Sequence, residues 1–295
     1  MLSLIAVAVV LVQSAPQNPS PMVDTTRPHP RIAESPRQGR RAPLTLGTLY
    51  LSPRFKPAPR VPLVVHFHGS AWLIEHHAAR QLPRAALVTV QLGAGSSAYA
   101  RPFSSVEAFD RLVDEASTAA CDRQRPCELS PIVLTAFSAG YGAIRAILQH
   151  PSYHARVAAV LLADSLHAGY TGTIEAIAPR DVDAALDRID AANLEALLRF
   201  AREAVAGRKA MWVTHSEVYP GTFASTTETA DYLLRALQIV RRPALKQGPV
   251  GMQQLSEAGR GRFRVLGFAG NSGPDHMDHL YAIGRWFALL RDGPL

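Results

Sequence analysis

The strongest fold signal in the sequence is Pro131-Ile-Val-Leu-Thr-Ala-Phe-Ser-Ala-Gly-Tyr-Gly142. Its β-branched run predicts a buried strand, and the apolar spacing that begins at Ala143 predicts a helix. Only the turn from Ala136 to Gly140 separates the two, with Ser138 at its centre. So tight a turn needs small residues two positions before and two positions after the serine, as found here. This layout is that of a nucleophile elbow, although a small-x-Ser-x-small pattern also occurs by chance.

Apolar runs alternate with helical patterns along the rest of the chain. The runs that predict strands are 44–51, 63–68, 85–92, 132–135, 157–163, 210–214 and 262–268. Helical spacing covers 105–121, 181–206, 227–237 and the C-terminal stripe from Leu280 to Leu290. This alternation predicts an α/β fold, a mostly parallel central sheet with helices on both faces. The interval 165–209, between two later strands, has room for a small helical cap.

The N-terminal segment accounts for nearly all of the net charge of +7. Residues 16–60 hold eight basic and two acidic side chains, which leaves about +1 for the rest of the chain. A nearly neutral body does not favour a nucleic-acid-binding face. Eleven of the 22 prolines fall between residues 16 and 62. We therefore predict a Pro/Arg-rich disordered linker over 15–42 and a single domain over 43–295.

The first residues and the cysteines both favour export to the periplasm or the extracellular space. Residues 2–12 are almost wholly apolar, but a transmembrane helix needs about 20 such residues. We predict a signal peptide over 1–14 and no integral membrane span, although the leader lacks Lys and Arg. Cys121 and Cys127, the only cysteines, could close a small disulfide ring, which persists only in an oxidising compartment. Two unrelated thiols are the alternative.

Polar residues follow four of the predicted strands, and in parallel sheets the chemistry lies at these strand ends. They are His68-Gly69-Ser70, Ser138, Asp164 and the loop Asn271–His279. A serine hydroxyl is a poor nucleophile at neutral pH and needs a base, for which histidine has a suitable pKa. The imidazole in turn needs a carboxylate that fixes its tautomer.

In this order the chain resembles the α/β-hydrolase superfamily over about residues 44–292. The resemblance rests on the His-Gly turn, the serine elbow, an acid after a later strand and a histidine after the last strand. It implies that Ser138 is the nucleophile and that the backbone amides of Ala139 and Ser70 form the oxyanion hole. Ala136 replaces the glycine usual at that point of the elbow, but alanine is found there in some lipases of the superfamily.

The base and the acid each have two candidates. His276 lies in a loop containing Gly273-Pro274, and His279 lies one turn later. We prefer His276 because a loop residue can swing toward the elbow. Asp164 ends a buried strand, where an unpaired carboxylate is costly, whereas Glu217 follows the next strand, the more usual place in the superfamily. We prefer Asp164, because some lipases of the superfamily carry their acid after this earlier strand.

No metal site, cofactor or nucleotide-binding pattern is predicted. His66 and His68 share a strand face, and His76-His77 follows, but no further ligand stands at a recognised spacing. The sequence therefore predicts a serine hydrolase that cleaves a small-molecule carboxylic ester or amide through an acyl-enzyme. The alternatives are a non-catalytic binding module on the same fold and an acyltransferase that uses the same residues.

Overall fold

The structure is a computed structural model that describes residues 27–35, 38–121, 126–172 and 186–291. The predicted signal peptide over 1–14 lies outside these ranges. So do residues 15–26 and 36–37 of the predicted linker, and residues 173–185 of the predicted cap.

Ten strands of the described residues form one sheet. In chain order they are β1 (Arg40–Leu44), β2 (Gly47–Leu51), β3 (Arg60–Phe67), β4 (Ala86–Val90), β5 (Glu128–Phe137), β6 (Val157–Ala163), β7 (Ala210–His215), β8 (Arg242–Gln247), β9 (Gln253–Arg260) and β10 (Phe263–Phe268). Their order across the sheet is β1-β2-β4-β3-β5-β6-β7-β10-β9-β8. The six strands from β4 to β10 in this order run parallel, and antiparallel strands extend both edges. The predicted mostly parallel sheet is confirmed.

Helices cover both faces of this sheet. They are α1 (Ala71–Gln81), α2 (Ser96–Phe103), α3 (Val106–Ala120), α4 (Tyr141–Gln149), α5 (Pro151–Arg156), α6 (Glu195–Val205), α7 (Thr226–Ala236), α8 (Gly273–Tyr281) and α9 (Ile283–Arg291). Apolar residues of α2, α3, α4, α6 and α7 fill the core on one face, and those of α1 and α9 fill it on the other. None of the helices in the described ranges is both long enough and apolar enough to cross a membrane.

The edges of the sheet are where the sequence prediction was wrong. The run 44–51, predicted as one strand, is the turn and second strand of the β1–β2 hairpin. Gly47 has φ 120°, and a Cβ there would lie 2.4 Å from the carbonyl oxygen of Thr89. Strands β8 and β9 were not predicted because neither has a continuous apolar run; β8 is mostly exposed and β9 is mostly half-buried. An antiparallel edge needs no continuous apolar run.

Two described parts of the predicted linker region contact the domain. Strand β1 begins at Arg40, three residues before the predicted boundary at 43. Arg27 and Arg31 pair with aspartates of α8. Farther along, Cys121 and Cys127 are joined in a disulfide between α3 and β5.

Candidate active site

The turn around Ser138 is as tight as the sequence predicts. Strand β5 ends at Phe137, a short 3-10 turn covers Ser138–Gly140, and α4 follows at once. Ser138 has φ 48°, a left-handed value that is uncommon outside glycine. At Gly140 a Cβ would lie 2.1 Å from the carbonyl oxygen of Phe67, so only glycine fits where β3 passes the turn. A strained serine between strand and helix is the geometry of a nucleophile elbow.

Strand β6 supports this turn from the other side. The hydroxyl of Ser165 is fully buried and donates to the carbonyl oxygen of Ser138 at 2.7 Å. Because the backbone of Ser138 is left-handed, its carbonyl group does not continue the hydrogen bonding of β5. The Ser165 hydroxyl donates to that carbonyl instead. Sequence reasoning missed Ser165, although its place directly after Asp164 at a strand end was the available signal.

The turn after β3 is also held in an unusual conformation. His68 and Gly69 have φ values of 69° and 111°, and Ser70 is the N-cap residue of α1. Because β3 and β5 are neighbours, the start of α1 and the elbow lie at the same end of the sheet. Backbone amides at such helix starts favour a developing negative charge. The assignment of the Ser70 and Ala139 amides as oxyanion donors stays a prediction.

Two histidines make hydrogen bonds that hold this turn. His66 is fully buried, with Nδ1 2.8 Å from the hydroxyl oxygen of Thr135 and Nε2 2.7 Å from the carbonyl oxygen of His68. Burial lowers the pKa of His66 to about 3, so the ring is neutral and its Nε2–H donates to that carbonyl. Nδ1 of His68 lies 2.8 Å from the hydroxyl of Tyr99. Each ring therefore has at least one protein partner.

Asp164 ends β6 as a buried carboxylate with several donors. It is 1% exposed and has φ 46°. The amide and hydroxyl of Ser216 donate to it at 2.9 and 2.6 Å, and the hydroxyl of Thr226 donates at 2.5 Å. Burial opposes ionisation, but the nearby imidazoles of His279 and His276 and the hydrogen bonds outweigh it and lower the pKa of Asp164 below its usual value. The group is therefore a carboxylate at neutral pH.

His276 completes the pair. Its Nδ1 lies 2.6 Å from Oδ2 of Asp164, although 112 residues separate them in the sequence. The His276 ring stacks on Phe137, the residue before Ser138, with 4.5 Å between ring centroids. Nδ1 is thus engaged by the carboxylate, and the imidazole lies beside the elbow. Among the described residues no hydrogen bond joins this ring to the Ser138 hydroxyl, a contact that is often long without substrate.

The two alternate residues have other partners. His279 is buried, its Nδ1 lies 2.8 Å from the hydroxyl of Thr214, and it packs edge-on against Phe268. Glu217 accepts a hydrogen bond from the amide of Gly270 at 3.1 Å and so ties the loop after β7 to the loop after β10. Of the candidate bases and acids, the structure brings together His276 and Asp164.

Ser216 and Thr226 are site residues that the sequence did not single out for this role. Thr226 lies in the polar run Ser225–Thr229, which could be read as a helix start or as a pocket rim. It is a helix start: Ser225 and Glu228 form a capping box for α7. The same helix start presents the Thr226 hydroxyl to the Asp164 carboxylate, so the first turn of α7 also holds this side chain.

An aromatic cluster begins at Tyr141, the residue that directly follows the elbow turn. The rings of Tyr141 and His167 are 5.5 Å apart, and His167 meets Phe223 edge-on at 5.1 Å. Phe223 is 40% exposed, unusual for a large apolar side chain. The three rings therefore form one aromatic cluster.

Four observations indicate the same fold. They are the order of the strands in the sheet, the elbow, the β3–α1 turn, and the chain order Ser138, Asp164, His276. The chain has the α/β-hydrolase fold. The family resemblance stated from the sequence is therefore confirmed at the level of the fold.

Solved structures with this α/β-hydrolase fold resemble the chain at low sequence identity. S-formylglutathione hydrolase from Staphylococcus aureus is 16% identical, with a TM-score of 0.41 over 86% of this chain and 98% of that one. A haloalkane dehalogenase variant from Bradyrhizobium elkanii is 13% identical, with a TM-score of 0.45 over 86% and 96%. Acylaminoacyl peptidase from Pyrococcus horikoshii is 13% identical, with a TM-score of 0.47 over 88% of this chain and 42% of that one. No protein-family model and no curated protein matches the sequence.

Proposed function

We propose that this protein is a serine hydrolase that cleaves a carboxylic ester through an acyl-enzyme. The observation that carries the proposal is the 2.6 Å contact between His276 Nδ1 and the buried Asp164 carboxylate, beside a serine held at positive φ. A structural role alone does not explain a buried carboxylate that combines three hydroxyl or amide donors with a half-buried imidazole. A catalytic acid that orients a base does explain it.

In the proposed reaction the Ser138 hydroxyl attacks the ester carbonyl while Nε2 of His276 takes its proton. Asp164 fixes the tautomer with Nδ1 protonated and stabilises the imidazolium that forms. The amides of Ala139 and Ser70 receive the oxyanion, and the alcohol leaves with the proton from His276. Water, activated by the same imidazole, then attacks the acyl-enzyme and releases the acid.

Substitution of Ser138 by alanine tests the proposal. We expect hydrolysis of p-nitrophenyl acetate to fall to background in Ser138→Ala, with an unchanged circular dichroism spectrum, because the nucleophile is lost and the fold is kept. A fluorophosphonate probe should add one adduct to the wild type, at Ser138, by peptide mass spectrometry. Undiminished hydrolysis by the variant would exclude this serine as nucleophile, and a wild type without an adduct would favour a binding module.

A further inference from the structure

The N-terminal segment 27–31, called here the strap, lies on α8, the helix that carries His276. Nη2 of Arg27 is 2.6 Å from Asp275 and 2.5 Å from Asp278. Nδ1 of His29 is 2.9 Å from Asp278, and Arg31 also pairs with Asp278. Three side chains of one short segment therefore converge on two carboxylates of one helix.

Arg31 makes further contacts that fix its direction. Its Nη2 donates to the carbonyl oxygen of Pro274 at 3.0 Å, and its guanidinium lies 4.4 Å from the ring centroid of Tyr281. One arginine thus spans the helix from its first turn to its last residue. This contact set is more specific than that of a solvated basic tail.

The carboxylates depend on the strap because they are buried. The Asp278 side chain has no exposed surface, and that of Asp275 is 7% exposed. Over the described residues, the cationic partners of both aspartates all belong to the strap. A buried carboxylate that loses its partner is strongly unfavourable. Without the strap, α8 would have to shift or take in water around these two side chains.

The same two aspartates flank the base in the sequence. Asp275 immediately precedes His276, and Asp278 follows it by two residues. One oxygen of Asp275 closes the capping box with Ser272 at the start of α8, while the other binds Arg27. The strap therefore fixes the first turn of the helix from outside, and Asp164 fixes the imidazole from inside.

A metal ion is the competing occupant of this cluster. Ligand atoms of His29, Asp275 and Asp278 lie within 4.8 Å of one another, as metal ligands can. However, the same carboxylate oxygens already face the guanidinium groups of Arg27 and Arg31. A divalent cation would have to sit against two fixed positive charges, so arginine is the better match for the site.

We propose that the strap positions His276 for catalysis, so that Arg27 and Arg31 are positioning residues of the enzyme. The proposal rests on the proposed function of His276 as base. It also implies that the active protein retains residues 27–31 after any removal of the leader. A misplacement of the base by a fraction of an ångström lowers kcat while leaving substrate binding largely intact.

The test compares two full-length double variants that lose the same charge. Arg27→Gln/Arg31→Gln removes the strap pairs, and Lys56→Gln/Arg84→Gln removes two exposed cations elsewhere. Hydrolysis of p-nitrophenyl acetate is measured and normalised to active sites counted with the fluorophosphonate probe, alongside the thermal midpoint. We expect kcat per active site to fall at least tenfold in the strap variant, with KM within threefold. In the control variant kcat should stay within twofold, and Arg27→Lys/Arg31→Lys should recover much of the activity.

The outcomes separate the possible failures. If the strap variant has a lower thermal midpoint but a wild-type kcat per active site, the strap is only structural and the proposal is overturned. Activity that is lost in EDTA and restored by zinc would overturn it in favour of a metal. A wild type that neither turns over the ester nor takes up the probe would instead overturn the proposed function.

Discussion

At the residue scale, sequence order alone could not choose between two carboxylates for the acid of the proposed triad. Asp164 and Glu217 both follow strands, and both are acidic. The two carboxylates differ in their hydrogen bonds. Asp164 accepts from Ser216 and Thr226 and contacts the His276 ring, whereas Glu217 accepts from the backbone amide of Gly270. Only the first arrangement fixes the orientation of an imidazole.

Neutralising each acid in turn should therefore have unequal effects on turnover. We expect Asp164→Asn to lower kcat by roughly 1,000- to 10,000-fold with little change in KM, because an amide at this position favours the wrong tautomer of His276. Glu217→Gln is the matched control and should stay within about threefold, since the amide oxygen can still accept from Gly270. Steady-state kinetics on p-nitrophenyl acetate measure both. A larger loss of kcat in Glu217→Gln than in Asp164→Asn would instead assign the role of the acid to Glu217.

At the element scale, the elbow works because β3, the serine turn and α4 approach each other without side chains between them. Gly140 is the tightest point, with the carbonyl oxygen of Phe67 2.1 Å from where a Cβ would stand. That oxygen belongs to a strand paired on both sides in the sheet, so it cannot move aside without breaking the ladder. The packing of β3, the serine turn and α4 thus depends on the lack of a side chain at Gly140.

Adding that methyl group should separate the elements. We expect Gly140→Ala to lower the free energy of unfolding by about 3 kcal/mol or more, because backbone atoms must shift to accept the new side chain. Gly169→Ala is the control, since its nearest contact would be Asn193 at an ordinary 3.8 Å, and it should cost about 1 kcal/mol or less. Urea denaturation followed by circular dichroism measures both. Equal stabilities for the two variants would contradict the tight contact at Gly140.

The sequence predicted the elements whose patterns are local and missed those that depend on partners. The central strands β3 to β7 are buried on both faces, so their apolar runs are sufficient to find them. Strands β8 and β9 and the strap lack a continuous apolar run, and their places depend on a neighbouring strand or on Asp278. Strand ends and chain order lead to Ser138 and to two candidates each for the acid and the base, whereas Ser216 and Thr226 act through contacts that no spacing reveals.

At the scale of the whole molecule, several histidines are folded into the interior as neutral rings. Burial lowers the pKa of His66 and of His215 to about 3 each, and each ring has hydrogen-bond partners inside the protein. In the unfolded chain such a histidine binds a proton near pH 6.5. Between pH 6.5 and about 3 the unfolded state therefore holds protons that the folded state lacks. Stability is lost as the pH falls through this range.

Replacing one of these histidines measures how much it contributes to the pH dependence of the unfolding free energy. We expect His66→Gln to reduce the pH dependence of the unfolding free energy between pH 6 and 4 by about one proton, or roughly 1.4 kcal/mol per pH unit. Glutamine can still donate to the carbonyl oxygen of His68. Thr135→Val is the control, because it removes a hydrogen-bond partner of the ring but keeps the buried histidine, so the wild-type slope should persist at lower overall stability. Urea unfolding at a series of pH values measures the slopes, and an unchanged slope in His66→Gln would mean that this ring takes up its proton in the folded protein.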